Sequence, residues 1–476
     1  MRHESSLTVA NAVRMARPGD CVRVVPDLAL RSARSLSFAF QRCQPQAMIS
    51  DTNSSKAKRR PVRLRVAAAV AVGLVCAAAA VAVANGDAPA GKTALTASGS
   101  QNGRVQLTLP EPTGPRQIGT TSLHLVDHSR KDPWVSRSSP RELMISVWYP
   151  ATRTHGERRA PWLPPKSAAL YKKQTSQNLR TSLDNVDLPL THAYQDAPAA
   201  GSGPRSRPVV LFSPAFAGVR QFNTALVEDL ASRGYVVVTI DHTYEASFVE
   251  FPGGRLELGK QPSKPSDEVH AKSLKVRQAD TRFVLNELTK LNAGKNPDAE
   301  HRTLPRGLQG ALNLSKTGMF GHSVGGDTAA EVMAEDRRVR AGVDLDGSIN
   351  GPAAATGLDR PFMLMGNATH GRDNDPTWKE FWPNLRGWRL DLRLSDSAHQ
   401  TYTDMPPLVQ QLKKAVPLSP EVVEGLNSTY GTIPADRAIA AQRAYLDAFF
   451  DLHLRHRDGH LLSGPSPKFP EITFVP

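Results

Sequence analysis

Hydrophobic and polar positions fall into short apolar runs alternating with amphipathic stretches, the pattern of a largely parallel α/β sheet. The alternation is sharpest from residue 208. Pro208-Val209-Val210-Leu211-Phe212 reads as a buried strand, and a small-residue loop follows at 213–218. Leu226, Val227 and Leu230 predict a helix over 221–232, stopped by Gly234. Tyr235-Val236-Val237-Val238-Thr239-Ile240 is the next strand. Helical spacing of Phe283, Val284, Leu285 and Leu288 covers 276–291. A short strand at 317–320 then runs through Gly321–Gly326 into a helix ending near 336. Further strands are predicted at 341–345, 362–366 and 388–394, and an amphipathic helix over 435–453 packs through Leu446, Phe449 and Phe450. Upstream, 120–126 and 143–148 read as strands. Residues 150–205 and 243–270, polar and broken by Pro and Gly, read as irregular insertions.

Composition changes the picture mainly at the N-terminus. Of the formal charge of +14, the first 84 residues carry +9, so the basic excess belongs to one segment and nucleic-acid binding loses its support. Lys56, Lys58, Arg59, Arg60, Arg63 and Arg65 precede an apolar, Ala- and Val-dominated run over 66–84, and Ala82-Val83-Ala84 fits a small-residue cleavage site. That order is a secretory signal, the other reading being a membrane anchor retained at 66–84. Met48 gives this signal an ordinary length. Residues 1–47 are therefore expected to be a mis-assigned or disordered start, 48–84 the signal, 85–104 a tether, and 105–476 one folded domain. The three cysteines, Cys21, Cys43 and Cys76, all precede residue 85, which excludes a disulfide framework, a zinc ribbon and a cysteine nucleophile from the domain.

Gly321-His322-Ser323-Val324-Gly325 is a G-x-S-x-G between a predicted strand and a predicted helix, the context that turns a weak motif into a nucleophile elbow. The turn is so tight that side chains at the two glycines would collide with each other or with the neighbouring helix. A serine hydroxyl needs a histidine to take its proton, and the histidine needs an acid to orient it. His399 follows the last predicted parallel strand after a short loop and is the expected base, with His370 as its rival. For the acid, spacing leaves two answers open: Asp346, ending the strand after the nucleophile, or Asp373 and Asp375, after the next one. The amide of Val324 is one expected oxyanion donor, and the loop with Ala215, Phe216 and Ala217 supplies the other. Trp378, Trp382 and Trp388 read as packing, with an acyl-pocket wall as the second reading. No metal or organic cofactor is implied.

At these residues the chain resembles the plasma-type platelet-activating-factor acetylhydrolase branch of the α/β-hydrolases. The likeness runs over about 114–405, through Gly114-Pro115, Val147-Trp148-Tyr149-Pro150, Phe212-Ser213 with Arg220, the run 229–235, Gly321–Gly326, Leu345-Asp346, and His399-Gln400 with Asp404. The resemblance implies an α/β-hydrolase fold and favours Asp346 as the acid and Phe216 as the second oxyanion donor. Where the family reads Ser-His-Gly in that loop, this chain has Ser213-Pro214-Ala215. Secreted polyester hydrolases and cutinases are also similar but carry their acid after the next strand. The implied activity is a secreted serine ester hydrolase acting on a small ester or lipid, with short-acyl phospholipid the leading substrate. A membrane or lipid surface is the one larger partner, and no obligate protein partner is expected. Polyester hydrolysis, peptidase activity and a non-catalytic binding module of the same fold are the alternatives.

Overall fold

The computed structural model describes residues 103–476, except 153, 155, 202, 204, 205 and 263. The signal, the tether to residue 102 and all three cysteines lie outside the described residues. Fifteen strands occur in chain order: β1 (Val105–Gln106), β2 (Ile118–Lys131), β3 (Pro140–Pro150), β4 (Arg159–Pro161), β5 (Val186–Asp187), β6 (Leu190–Gln195), β7 (Arg207–Ser213), β8 (Val236–Asp241), β9 (Phe248–Phe251), β10 (Arg255–Leu258), β11 (Leu312–His322), β12 (Val339–Leu345), β13 (Phe362–Gly366), β14 (Arg389–Leu394) and β15 (Ile472–Phe474). Eleven form one sheet in the order β15-β14-β13-β12-β11-β7-β8-β3-β2-β6-β4, and β1/β5 and β9/β10 form two-stranded pairs.

The block from β14 to β8 is parallel, and antiparallel β15 and β3 flank it. Helices cover both faces, which is why β7, β8 and β13 are buried along their whole length and read as unbroken apolar runs. Val209, Leu211, Val236 and Val238 face the helices Asp267–Asn292 and Val324–Glu335. Val210, Phe212, Val237 and Phe320 face Thr224–Ser232 and Ala435–Arg455, the latter through Leu446, Phe449 and Phe450. Phe450 lies so close to β11 that a Cβ on Gly318 would overlap its ring. Truncating so buried a phenylalanine costs about 3–5 kcal/mol.

From β7 the chain steps to β8 on one side and returns as β11 on the other. This is the topological switch point, where the carboxyl ends of neighbouring strands open a crevice. Register sets Gly321 beside Ser213 and His322 beside Leu345.

The two insertions are more regular than the sequence pattern predicts. Residues 150–205 contain the helix Pro165–Leu179 with β4, β5 and β6, and 243–270 contain the β9/β10 hairpin. Trp162, Leu163, Leu179, Phe248 and Phe251 pack with Met405, Leu408, Leu412 and Leu426 into a third apolar cluster. The helix Pro165–Leu179 has a weak apolar stripe and only Ser167 and Leu179 buried, so periodicity could not reveal it. The helices Pro376–Asn384, Met405–Ala415 and Pro420–Tyr430 also lie outside the predicted elements; each has a proline at its first or second residue, where the helix start tolerates it. No helix among the described residues is long and apolar enough to cross a membrane.

Candidate active site

Ser323 sits between β11 and the helix Val324–Glu335 with φ 57° and ψ −127°, a conformation that costs a non-glycine residue roughly 1–3 kcal/mol. Its amide donates to Leu345 O at 2.9 Å, and its carbonyl accepts the Gly326 amide at 2.8 Å, so strand β12 and the helix start hold the strained residue from both sides. A Cβ on Gly321 would overlap the backbone of Gly325, and one on Gly325 would overlap the Ser213 carbonyl. The glycines of the motif are thus required by contact. Ser323 is half-buried, and its hydroxyl makes no hydrogen bond to any described residue. Catalytic contacts of this kind are often open without substrate.

Asp346, the residue after β12, also has a positive φ, 62°, and its amide donates to Met365 O at 2.9 Å. The carboxylate is fully buried and each oxygen takes two donors. Oδ1 accepts the Asn367 amide at 2.7 Å and His370 Nδ1 at 2.9 Å; Oδ2 accepts Asn367 Nδ2 at 2.8 Å and His399 Nδ1 at 2.6 Å. Burial alone would raise its pKa, but the hydrogen bonds from His370 and His399 outweigh that and hold the carboxyl well below the usual range. An ionised carboxylate only accepts, so His399 donates to it from Nδ1.

His399 opens a short 3₁₀ turn, His399–Tyr402, after β14, and its side chain is 21% exposed. His322 Nε2 lies 2.9 Å from His399 O, to which it can only donate, and the two rings are 4.8 Å apart. Burial drives the His322 pKa down to about 3, so this link is neutral. Asp404, just beyond, accepts the amides of Thr224 and Ala225 and the Trp162 indole, at 2.8, 2.9 and 3.1 Å. That ties the base-bearing loop to the start of the helix Thr224–Ser232 and to the first insertion.

Asp373 and Asp375 are elsewhere engaged. Asp373 is exposed and pairs with Arg393. Asp375 caps the helix Pro376–Asn384 through the Thr377 amide at 2.7 Å and contacts His370 Nε2, also at 2.7 Å. His370, the rival base, has both ring nitrogens on carboxylates and neither free. The tryptophans pack: Trp378 is fully buried against His370, Trp382 lies between Arg372 and Arg389, and Trp388 meets Phe449 and His453.

The loop after β7 is gripped from behind. Arg277, buried on the helix Asp267–Asn292, donates to Pro214 O at 2.6 Å, to Ala215 O at 3.0 Å and to Ser213 Oγ at 3.0 Å, and pairs with Glu245. A trans peptide points its N–H opposite to its C=O, so holding Ala215 O turns the Phe216 amide away from Arg277. No described residue accepts from the amides of Phe216 or Val324. Ser213 Oγ also meets His242 Nε2 at 3.1 Å, and His242 Nδ1 meets Asp280 at 3.0 Å. This copies the connectivity of a catalytic triad, but all three residues are sealed in the core. Sequence reasoning missed Asn367, His322, Arg277 and this buried trio, since none carries a motif. The one available signal was His322 inside G-x-S-x-G.

The sheet order, the strained serine at the switch point and the helices on both faces define an α/β-hydrolase. Residues 101–412 match the model of the family "Platelet-activating factor acetylhydrolase, isoform II", and the chain belongs to that family. A "Probable 1-alkyl-2-acetylglycerophosphocholine esterase" from Arthroderma benhamiae is 31% identical over 389 residues, 77% of this chain and 93% of that protein. A platelet-activating factor acetylhydrolase from Cavia porcellus is 22% identical over 321 residues, 62% of this chain and 69% of its own. Among solved structures, a ferulic acid esterase from Streptomyces cinnamoneus matches with 36% identity and a TM-score of 0.64, covering 78% of this chain and 99% of that one. The chain is an ester hydrolase.

Proposed function

We propose that the protein is a secreted serine esterase that cleaves short-acyl esters, with the acetyl group of a glycerophospholipid as the leading substrate, through an acyl-enzyme. Ser323 Oγ attacks the ester carbonyl while His399 Nε2 takes its proton, and Asp346 holds the imidazolium that forms. The amides of Val324 and Phe216 receive the oxyanion. His399 then protonates the departing alcohol, and water repeats the sequence to release the acid. The observation that carries this reading is the 2.6 Å contact between His399 Nδ1 and Asp346 Oδ2, set at the strand end next to the strained Ser323. The Arg277 grip supports Phe216 as a donor, because it turns that amide out of the core. The engagement of Asp373 and Asp375 elsewhere argues against a polyester-hydrolase arrangement of the acid.

The likeness to a ferulic acid esterase supports a second reading, an aromatic acyl group. Purified protein assayed on p-nitrophenyl esters of increasing chain length, an acetylated ether phospholipid and a methyl hydroxycinnamate separates the two. Preference for acetyl over hydroxycinnamoyl esters is expected; the reverse order overturns the phospholipid reading. Secretion rests on the basic and apolar run over 56–84. N-terminal sequencing of protein recovered from the medium is expected to begin shortly after Ala84, and retention in the membrane fraction would overturn it.

A further inference from the structure

Beyond the residues that touch substrate, the site holds a charged group that the proposed mechanism leaves without a role. His370 Nδ1 lies 2.9 Å from Asp346 Oδ1, and its Nε2 lies 2.7 Å from Asp375 Oδ2. Both carboxylates accept only, so both ring nitrogens must donate, and a ring with two N–H groups is an imidazolium. Its surroundings fix it there. Trp378 packs on the ring with centroids 4.4 Å apart, and Asp375 is itself held by Ser348 Oγ at 2.6 Å and the Thr377 hydroxyl at 2.7 Å. The other titratable groups near it are Asp344 on β12, whose pKa burial pushes well up, and Asp391 on β14, which pairs with Arg372 and lies near Arg393. Burial by itself would lower the His370 pKa, but the bonds to Asp346 and Asp375 prevail and raise it to about 10.

We propose that His370 is a permanently charged positioning residue that offsets the negative charge of Asp346 from the side opposite His399, so that the base stays free of a proton in mildly acidic medium. The inference rests on Asp346 and His399 acting as acid and base. An uncompensated carboxylate at 2.6 Å favours a protonated partner, which cannot accept the Ser323 proton. A cation on the second oxygen weakens that preference and repels a proton from His399 in the same step. Asp375 completes the chain Asp375–His370–Asp346–His399 by keeping His370 charged.

Two measurements test this. In a Ser323→Ala background, NMR titration of His399 reads its proton uptake directly, and His370→Gln is expected to move that midpoint upward by roughly one pH unit. Asp375→Asn, whose amide still caps its helix, is expected to move it the same way by less. In protein with Ser323 intact, the acidic limb of kcat/KM on p-nitrophenyl acetate is expected to shift upward equally, with the alkaline plateau kept within a few-fold. An unmoved midpoint, a downward move, or a plateau lowered evenly at all pH values would each overturn the proposal. Wild-type protein inactive on every ester would instead sink the catalytic reading, while the titration would still report on His370.

Discussion

Asp346 and Asn367 form a closed pair: the Asn367 amide binds one carboxylate oxygen at 2.7 Å and its side chain binds the other at 2.8 Å. One donor residue thereby fixes the plane of the carboxylate, and the remaining lone pair on each oxygen points to a histidine. Replacing Asp346 by Asn turns one acceptor into a donor and favours the wrong His399 tautomer. We expect Asp346→Asn to lower kcat by about 10⁴-fold, the size of the effect when a triad acid becomes its amide, and Asp373→Asn to change it less than about threefold. Steady-state kinetics on a p-nitrophenyl ester decides it, and equal losses in both variants would remove Asp346 from the role.

Ser323 and Ser213 each sit near a histidine–aspartate pair, His399–Asp346 and His242–Asp280, and exposure distinguishes the two serines. Ser323 is half-buried at the crevice, whereas Ser213 is fully buried behind its loop. Treatment with a fluorophosphonate followed by peptide mass spectrometry is expected to place the adduct on Ser323 alone. Label on Ser213, or none on Ser323, contradicts the assignment.

His322 touches His399, the proposed base, through the backbone. Its N–H reaches the His399 carbonyl, and with its own pKa near 3 it carries no charge in the working range. His322→Phe removes a hydrogen bond worth about 1 kcal/mol and strands a carbonyl, so kcat is expected to fall roughly tenfold with the acidic limb unmoved. His322→Gln is expected to restore much of the loss. A shifted limb would show that His322 titrates.

Stability is expected to depend on pH through carboxyls beneath the elbow. Burial raises Asp327 to about 8 and Glu331 to about 7, and one Asp327 oxygen has no partner while the other accepts the Asn350 amide at 3.0 Å. Both folded values lie above the unfolded ones. Their contribution is therefore complete below about pH 4 and is lost as pH rises through about 7 to 8. Asp327→Asn cannot ionise, so its Tm is expected to lie closest to wild type near pH 4 and to exceed it by most at pH 9. Parallel Tm curves across that range would refute the assignment.

Much of the fold was legible because the strands of the parallel block are buried on both faces and must be apolar throughout. Residues 362–366 match β13 end to end for that reason, and the helix at 435–453 was visible through one apolar stripe. The insertions were opaque because their elements are short, half-exposed and stabilised by tertiary contact, as with the helix Pro165–Leu179 against β9 and the helices beyond residue 404.

Ser323 was legible as the candidate nucleophile from the chain alone, through glycines at 321 and 325 that leave no room for a side chain, as was the order in which Ser323, Asp346 and His399 follow one another. That Asp346 is the carboxylate that meets His399 follows from the three-dimensional packing alone. Asp346, Asp373 and Asp375 all follow strand ends on the same edge of the sheet, and spacing cannot say where a carboxylate turns. The hydrogen bonds that Asp346 accepts from Asn367, His370 and His399 join segments 21, 24 and 53 residues apart, and they arise from packing. Direction of a side chain is a three-dimensional property, and the chain acquires it only when β12, β13 and β14 lie side by side.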